Sequence, residues 1–136
     1  MVILAVDYGD ARTGLAVCDR MEILASPVGV INESYEPKVI AAVKAHAERL
    51  GAELIVVGLP KNMDGTEGFR AEKCIHFAQE LGNVAGIKTV MYDERLSTVW
   101  AHRTLSENNV RGKKRKEVVD AVSAVVILEG FMASRK

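Results

Sequence analysis

Two runs of consecutive aliphatic residues, with no polar residue within either run, constrain the fold of this chain most. Residues 2–6 are Val-Ile-Leu-Ala-Val, and residues 54–57 are Leu-Ile-Val-Val. A strand with one face in water alternates apolar and polar side chains, whereas a strand covered on both faces does not. Both runs are far shorter than the roughly 20 residues that cross a bilayer. They therefore predict central strands of a sheet that is covered on both sides.

The apolar spacing elsewhere predicts three more strands and four helices. The strands are predicted at Leu15–Cys18, Pro27–Ile31 and Ile87–Tyr92, and the helices at Tyr35–Leu50, Phe69–Leu81, Ser97 to about Glu107, and Glu117–Met132. A polar loop at 59–68 follows the second apolar run, and a basic loop precedes the last helix. The first three strands are close enough in sequence to form an antiparallel meander, whereas helices between the later strands imply parallel crossovers. This order predicts one α/β domain over residues 1–136, with a five-stranded mixed sheet flanked by about four helices.

Composition excludes several classes of protein. The chain is 49% hydrophobic and 26% charged, which is typical of a globular protein and not of a disordered, coiled-coil or collagen-like one. Its two cysteines, Cys18 and Cys74, are too few for a disulfide framework and are expected to be reduced, buried thiols. No basic segment precedes the first apolar run, so we expect no signal peptide, no membrane association and a cytoplasmic location.

The net charge of zero conceals an uneven distribution of charge. Residues 1–94 carry 9 basic and 14 acidic side chains, whereas residues 95–136 carry 9 basic and 4 acidic ones. Much of the C-terminal excess lies in the run from Arg111 to Lys116. This run is either a footprint for nucleic-acid phosphates or a solvated, highly charged loop.

Three carboxylates occur at the margins of predicted apolar elements. Asp7 ends the first strand, Glu94 follows the fifth strand, and Asp120 interrupts the apolar face of the last helix. Open α/β sheets place ligands at the carboxyl ends of their strands, where these three side chains could converge. A group of carboxylates without histidine or cysteine suits Mg²⁺ or Mn²⁺.

Ordinary structural roles would also explain each carboxylate on its own, and spacing does not decide between the two interpretations. Asp7 could cap the turn at Gly9, Glu94 could pair with Arg95 or Arg12, and Asp120 could pair with Lys116.

Four segments, taken in order along the chain, resemble the signatures of the YqgF family, also called RuvX, of the RNase H-like superfamily. They are Asp7–Ala16, Val57–Glu67, Asp93–Thr98 and Lys116–Leu128. The resemblance extends over essentially the whole chain. One departure is Ser97, where many relatives carry threonine, and serine retains the ability to cap a helix.

The resemblance implies a fold of five mixed strands, three antiparallel and two parallel. It also implies a metal-dependent nuclease in which Asp7, Glu94 and Asp120 form an acidic triad that binds two Mg²⁺ or Mn²⁺ ions. Six basic residues would then neutralise the phosphates on either side of the cut without reading sequence. They are Arg12, Lys61, Arg95, Lys113, Lys114 and Arg115.

The resemblance leaves two substrates open. Family members are proposed to process the 5′ end of the precursor of 16S ribosomal RNA in ribosome biogenesis, and the older family name proposes resolution of four-way DNA (Holliday) junctions. Junction resolution requires two opposed active sites and hence a symmetric dimer. Because no dimerisation heptad or exposed apolar stripe is evident, we favour the RNA role. We expect a monomer or weak homodimer, with nucleic acid and ribosomal particles as partners.

Two other classes of function compete with a nuclease. The Asp-x-Gly and Thr-Gly pairs in residues 7–14 also resemble the phosphate loop of the actin and sugar-kinase superfamily. Those proteins close two domains around ATP, and 136 residues provide only one. A non-catalytic nucleic-acid-binding module is the other alternative, and metal-dependent turnover distinguishes it from an enzyme.

Overall fold

The computed structural model describes residues 1–61, 64–96 and 112–135, and it describes their side chains except at 96 and 112–120. Its five strands form one mixed sheet in the order β3-β2-β1-β4-β5. Strands β1, β2 and β3 are antiparallel, whereas β1, β4 and β5 are parallel. The strands are β1 (Ile3–Asp7), β2 (Thr13–Cys18), β3 (Ala25–Ile31), β4 (Leu54–Leu59) and β5 (Lys88–Asp93). The predicted mixed sheet is confirmed.

Helices cover both faces of this sheet. They are α1 (Glu36–Leu50), α2 (Phe69–Ala85), a short 3₁₀ helix (Glu94–Leu96) and α3 (Gly112–Ser134). Helices α1 and α2 pack against each other on one face, and α3 crosses β1, β2 and β3 on the other. In the three described ranges, no helix has an apolar stretch long enough to span a bilayer.

Alternation along β1 explains its uninterrupted apolar run. Leu4 and Val6 belong to the core beneath α1 and α2, whereas Ile3 and Ala5 belong to the core beneath α3. Every one of these four side chains is fully buried, so a polar residue on either face would lose its water without gaining a partner. Cys18 and Cys74 are also buried and free, as predicted.

Helix α2 is longer than predicted. The sequence places its end at Leu81, ahead of Gly82, but the helix continues to Ala85 and ends at Gly86, whose φ of 67° is left-handed. Glycine inside a helix costs only about 1 kcal/mol relative to alanine. The burial of Leu81 and the packing of Ala85 against the same core favour continuation.

The predicted basic loop is wrong over residues 112–116. Helix α3 begins at Gly112 rather than at Glu117, so Lys113, Lys114 and Arg115 lie in its first turns. Lysine and arginine are good helix formers, so a basic run does not by itself indicate a loop. The helix predicted from Ser97 to about Glu107 lies outside the described residues.

Candidate active site

The carboxyl ends of β1, β4 and β5 lie side by side and bring Asp7 and Glu94 to one edge of the sheet. Val6 pairs with Val57 across the first parallel ladder, and Leu59 pairs with Asp93 across the second. Asp7 is the last residue of β1, and Glu94 follows β5 directly. One strand, β4, therefore separates the two carboxylate-bearing residues.

Gly58, in the strand between them, provides the space for the Glu94 side chain. A Cβ built on Gly58 would lie 3.1 Å from both Cγ and Cδ of Glu94, and 2.6 Å from Cδ1 of Ile127 in α3. The Glu94 side chain and helix α3 therefore occupy the position that a side chain at 58 would fill. A glycine inside an aliphatic strand often marks such a close approach.

Alternation places Asp7 on the same side of the sheet as Glu94. Ile3 and Ala5 lie on the α3 side, so Asp7, two residues further along the strand, follows on that side. Asp120 lies within α3, one turn before Ala124, which is fully buried against the sheet. The Asp120 side chain is outside the described set. Among the side chains that are described, no group of three or more His, Cys, Asp or Glu residues is arranged to hold a metal ion.

Burial governs the electrostatics of Glu94. Desolvation raises the pKa of its carboxyl group, the nearby Arg70 charge lowers it, and Asp93 raises it further. A cation beside Glu94 would favour the charged form that burial disfavours.

Three of the predicted basic residues lie at the same end of the sheet. Arg12 is in the turn between β1 and β2, Lys61 follows β4, and Arg95 is in the 3₁₀ helix after β5. Lys113, Lys114 and Arg115 lie in the first turns of α3, and their side chains are not among those described.

Arg95 is held in place by Asp93. Its Nη2 donates to Asp93 Oδ2 at 2.8 Å and its Nε lies 3.1 Å from the same oxygen, while its backbone N–H donates to Oδ1 at 3.0 Å. These contacts lower the pKa of Asp93, which Lys61 lowers further. Gly65, with a left-handed φ of 90°, lies against the guanidinium, since a Cβ there would be 3.3 Å from Nη1. The sequence analysis considered Arg95 as a partner of Glu94 and did not foresee its pairing with Asp93.

Sequence reasoning also missed Arg70, which lies at the N-terminal end of α2. Its Nη2 donates to the Tyr8 carbonyl at 3.2 Å, and its Nη1 lies 3.7 Å from Asp10. The signal available in the sequence was its position, because Arg70 is the second residue of the helix that follows the polar loop at the carboxyl end of β4.

A family model described as "RuvX: Holliday junction resolvase" matches residues 1–134. The chain belongs to the RuvX family. Curated relatives named "Putative pre-16S rRNA nuclease" include one from Acetivibrio thermocellus, 39% identical over 99% of this chain and 97% of the relative. Another, from Bacillus mycoides, is 42% identical over 99% of this chain and the whole relative.

Solved structures with the same fold are more distant in sequence. RuvC from Thermus thermophilus has a TM-score of 0.60 at 15% identity, over 99% of this chain and 96% of that one. The Holliday junction resolvase of fowlpox virus has a TM-score of 0.57 at 14% identity over all of both chains. These likenesses show the RNase H-like fold that the sequence predicts, and membership of the RuvX family makes this chain a nuclease.

Proposed function

We propose that this RuvX-family chain is a metal-dependent nuclease that hydrolyses phosphodiester bonds at the 5′ end of precursor 16S ribosomal RNA. The observation that carries the proposal is the placement of Asp7 and Glu94 on one face of one sheet edge, with Gly58 leaving room for the Glu94 side chain. The names of relatives at about 40% identity support the RNA substrate. The relatives come from bacteria, which make precursor ribosomal RNA in the cytoplasm. We therefore propose a cytoplasmic location, with ribosomal particles as partners.

The donor set fits a hard divalent cation. Asp7 and Glu94 offer carboxylate oxygens, and Asp120 would complete the set from the helix that packs over them. We propose Mg²⁺ or Mn²⁺ as the cofactor. Asp7, Glu94 and Asp120 would hold two such ions, whose chemistry when bound would be to make a water nucleophilic and to stabilise the leaving oxygen.

The proposed role of the protein is to hold the phosphodiester in line at this edge. Arg12, Lys61 and Arg95 lie at the carboxyl end of the sheet, where they would neutralise phosphates flanking the cut. Asp93 keeps the Arg95 guanidinium in one orientation. The basic residues of α3, Lys113, Lys114 and Arg115, are proposed to extend this track. Contacts to phosphates fix register and carry little sequence information, so specificity is expected to come from RNA shape.

Resolution of Holliday junctions is the second candidate, because the matching family model carries that description. Cutting two opposed strands requires two copies of the site related by a twofold axis. The two functions therefore differ in the expected assembly as well as in the substrate.

One experiment tests both candidates. The wild type, Asp7→Asn and the matched control Asp19→Asn are incubated with Mg²⁺ or Mn²⁺ and a labelled fragment spanning the 5′ end of precursor 16S RNA, or a synthetic four-way junction. Asp19 follows β2, at the end of the sheet opposite Asp7. We expect metal-dependent RNA cleavage by the wild type and by Asp19→Asn, and none by Asp7→Asn. Full activity of a folded Asp7→Asn variant would contradict the metal assignment, and symmetric nicking of the junction alone would replace the RNA role with the resolvase.

A further inference from the structure

Helix α2 holds the residue next to Asp7 at two points. The Tyr8 ring stacks on Phe77, with ring centroids 3.9 Å apart and planes 7° from parallel. The Tyr8 carbonyl accepts a hydrogen bond from Arg70 Nη2 at 3.2 Å. Both the side chain and the backbone of Tyr8 are thus attached to the same helix, more than 60 residues away in sequence.

The Tyr8 carbonyl lies where the sheet no longer supports β1. The antiparallel ladder with β2 ends at the pair of Asp7 with Gly14, and the parallel ladder with β4 ends at the pair of Val6 with Val57. A backbone carbonyl at the margin of a core requires a partner from a side chain or from water. Arg70 supplies a charged donor, and hydrogen bonds of this kind are stronger than those between neutral groups.

The turn that follows Tyr8 is tied to the same helix. Asp10 accepts a hydrogen bond from Lys73 Nζ at 2.9 Å and lies 3.7 Å from Arg70 Nη1. A Cβ on Gly9 would collide with the carbonyl oxygen of Arg12, so the turn is closed tightly. Arg70 and Lys73 both contact Asp10, and Arg70 also donates to the Tyr8 carbonyl.

We propose that Arg70 is a positioning residue for Asp7. Its bond to the Tyr8 carbonyl fixes the peptide between Tyr8 and Gly9, and so restricts the chain immediately after Asp7 and the direction in which the Asp7 carboxylate leaves the sheet. Successive strand residues face opposite sides, and holding Tyr8 against α2 keeps Asp7 on the α3 side. The inference rests on the proposed function, in which Asp7 holds the metal ion.

Loss of Arg70 is therefore expected to impair metal binding and turnover rather than binding of the nucleic acid. Partners that orient a metal ligand commonly change metal affinity or activity by 10- to 100-fold when they are removed. Without the Arg70 bond, the stack on Phe77 still holds the Tyr8 ring, but the peptide between Tyr8 and Gly9 is less restricted and the Asp7 carboxylate is less well oriented. The phosphate contacts proposed for Arg12, Lys61 and Arg95 are unchanged.

The test compares Arg70→Gln with Lys73→Gln. Each variant loses one positive charge and one contact to Asp10. Arg70→Gln also loses the bond to Tyr8 and the positive charge that lowers the pKa of Glu94. Mn²⁺ binding to the protein without nucleic acid is measured by electron paramagnetic resonance, and kcat and KM are measured on the precursor RNA fragment. Both variants are expected to fold, because the Arg70 and Lys73 side chains are about half-exposed. Circular dichroism checks this.

We expect Arg70→Gln to weaken Mn²⁺ binding and to lower kcat by roughly tenfold or more, with KM changed less than about twofold. Lys73→Gln should stay within about twofold of the wild type in all three quantities. Equal effects of the two variants, unchanged Mn²⁺ affinity in Arg70→Gln, or an effect confined to KM would overturn the positioning role. A wild type that binds no Mn²⁺, or an Asp7→Asn variant that binds it equally well, would instead remove the proposed metal site, and this inference with it.

Discussion

At the scale of single residues, Gly58 matters because it has no side chain, and the Glu94 side chain lies where one would be. Alanine there would place its Cβ 2.6 Å from Ile127 Cδ1 and 3.1 Å from Glu94 Cδ. Overpacking of this kind typically costs 1 to 3 kcal/mol. We therefore expect Gly58→Ala to lower the free energy of unfolding by about 1 to 3 kcal/mol and to reduce nuclease activity at least roughly tenfold, because Glu94 is displaced. Urea unfolding and cleavage assays measure the two effects.

Gly82→Ala is the matched control for this prediction. Gly82 lies inside α2, and a Cβ there would make an ordinary contact of 3.4 Å with Thr89 Oγ1. Since alanine is favoured over glycine in a helix, this variant is expected to be as stable as the wild type or more stable, with unchanged activity. Wild-type activity in a folded Gly58→Ala protein would show that the Glu94 position is not critical.

At the scale of elements, the Asp19 carboxylate holds the backbone of the β2–β3 connection from within. Asp19 Oδ1 accepts hydrogen bonds from the backbone N–H groups of Ile23 at 2.8 Å and Leu24 at 2.9 Å. These bonds lower the pKa of Asp19, so their contribution to stability is present above its ordinary pKa of 3.8 and is lost as the pH falls through the lower value in the folded protein. We expect Asp19→Ala to lower the melting temperature at neutral pH, and the difference from the wild type to shrink in strong acid. Thermal unfolding across this pH range measures it, and a difference independent of pH would contradict this account of the turn.

At the scale of the whole molecule, the carboxyl end of the sheet gathers basic side chains in a protein whose first 94 residues are net negative. If all six proposed basic residues contact phosphates of single-stranded RNA, the logarithm of the affinity should fall with the logarithm of salt concentration with a slope near −4. The double variant Arg12→Gln, Lys61→Gln should make this slope shallower by about 1.4, whereas Lys44→Gln on α1 should not change it. Binding is measured in the Asp7→Asn background, where no cleavage is expected. An unchanged slope in the double variant would exclude both residues from the phosphate track.

The sequence by itself determined the kinds of element and the acidic residues at the ends of β1 and β5. The runs at 2–6 and 54–57 required strands buried on both faces, and this local pattern is independent of the neighbouring strands. The same analysis placed Asp7 at the end of β1 and Glu94 after β5, because a polar residue that follows an apolar run marks the margin of the core. Local signals were less reliable at helix ends, where the burial of Leu81 outweighed the glycine that follows it.

Only the tertiary structure decided which of these ends are neighbours. The strand order puts β4 between β1 and β5, which makes Gly58 the spacer beneath Glu94. The bond from Arg70 to the Tyr8 carbonyl likewise depends on where α2 begins relative to the end of β1. Periodicity encodes which face of an element is apolar. It does not encode the register or the order in which elements pack, since these follow from contacts between residues that are far apart along the chain.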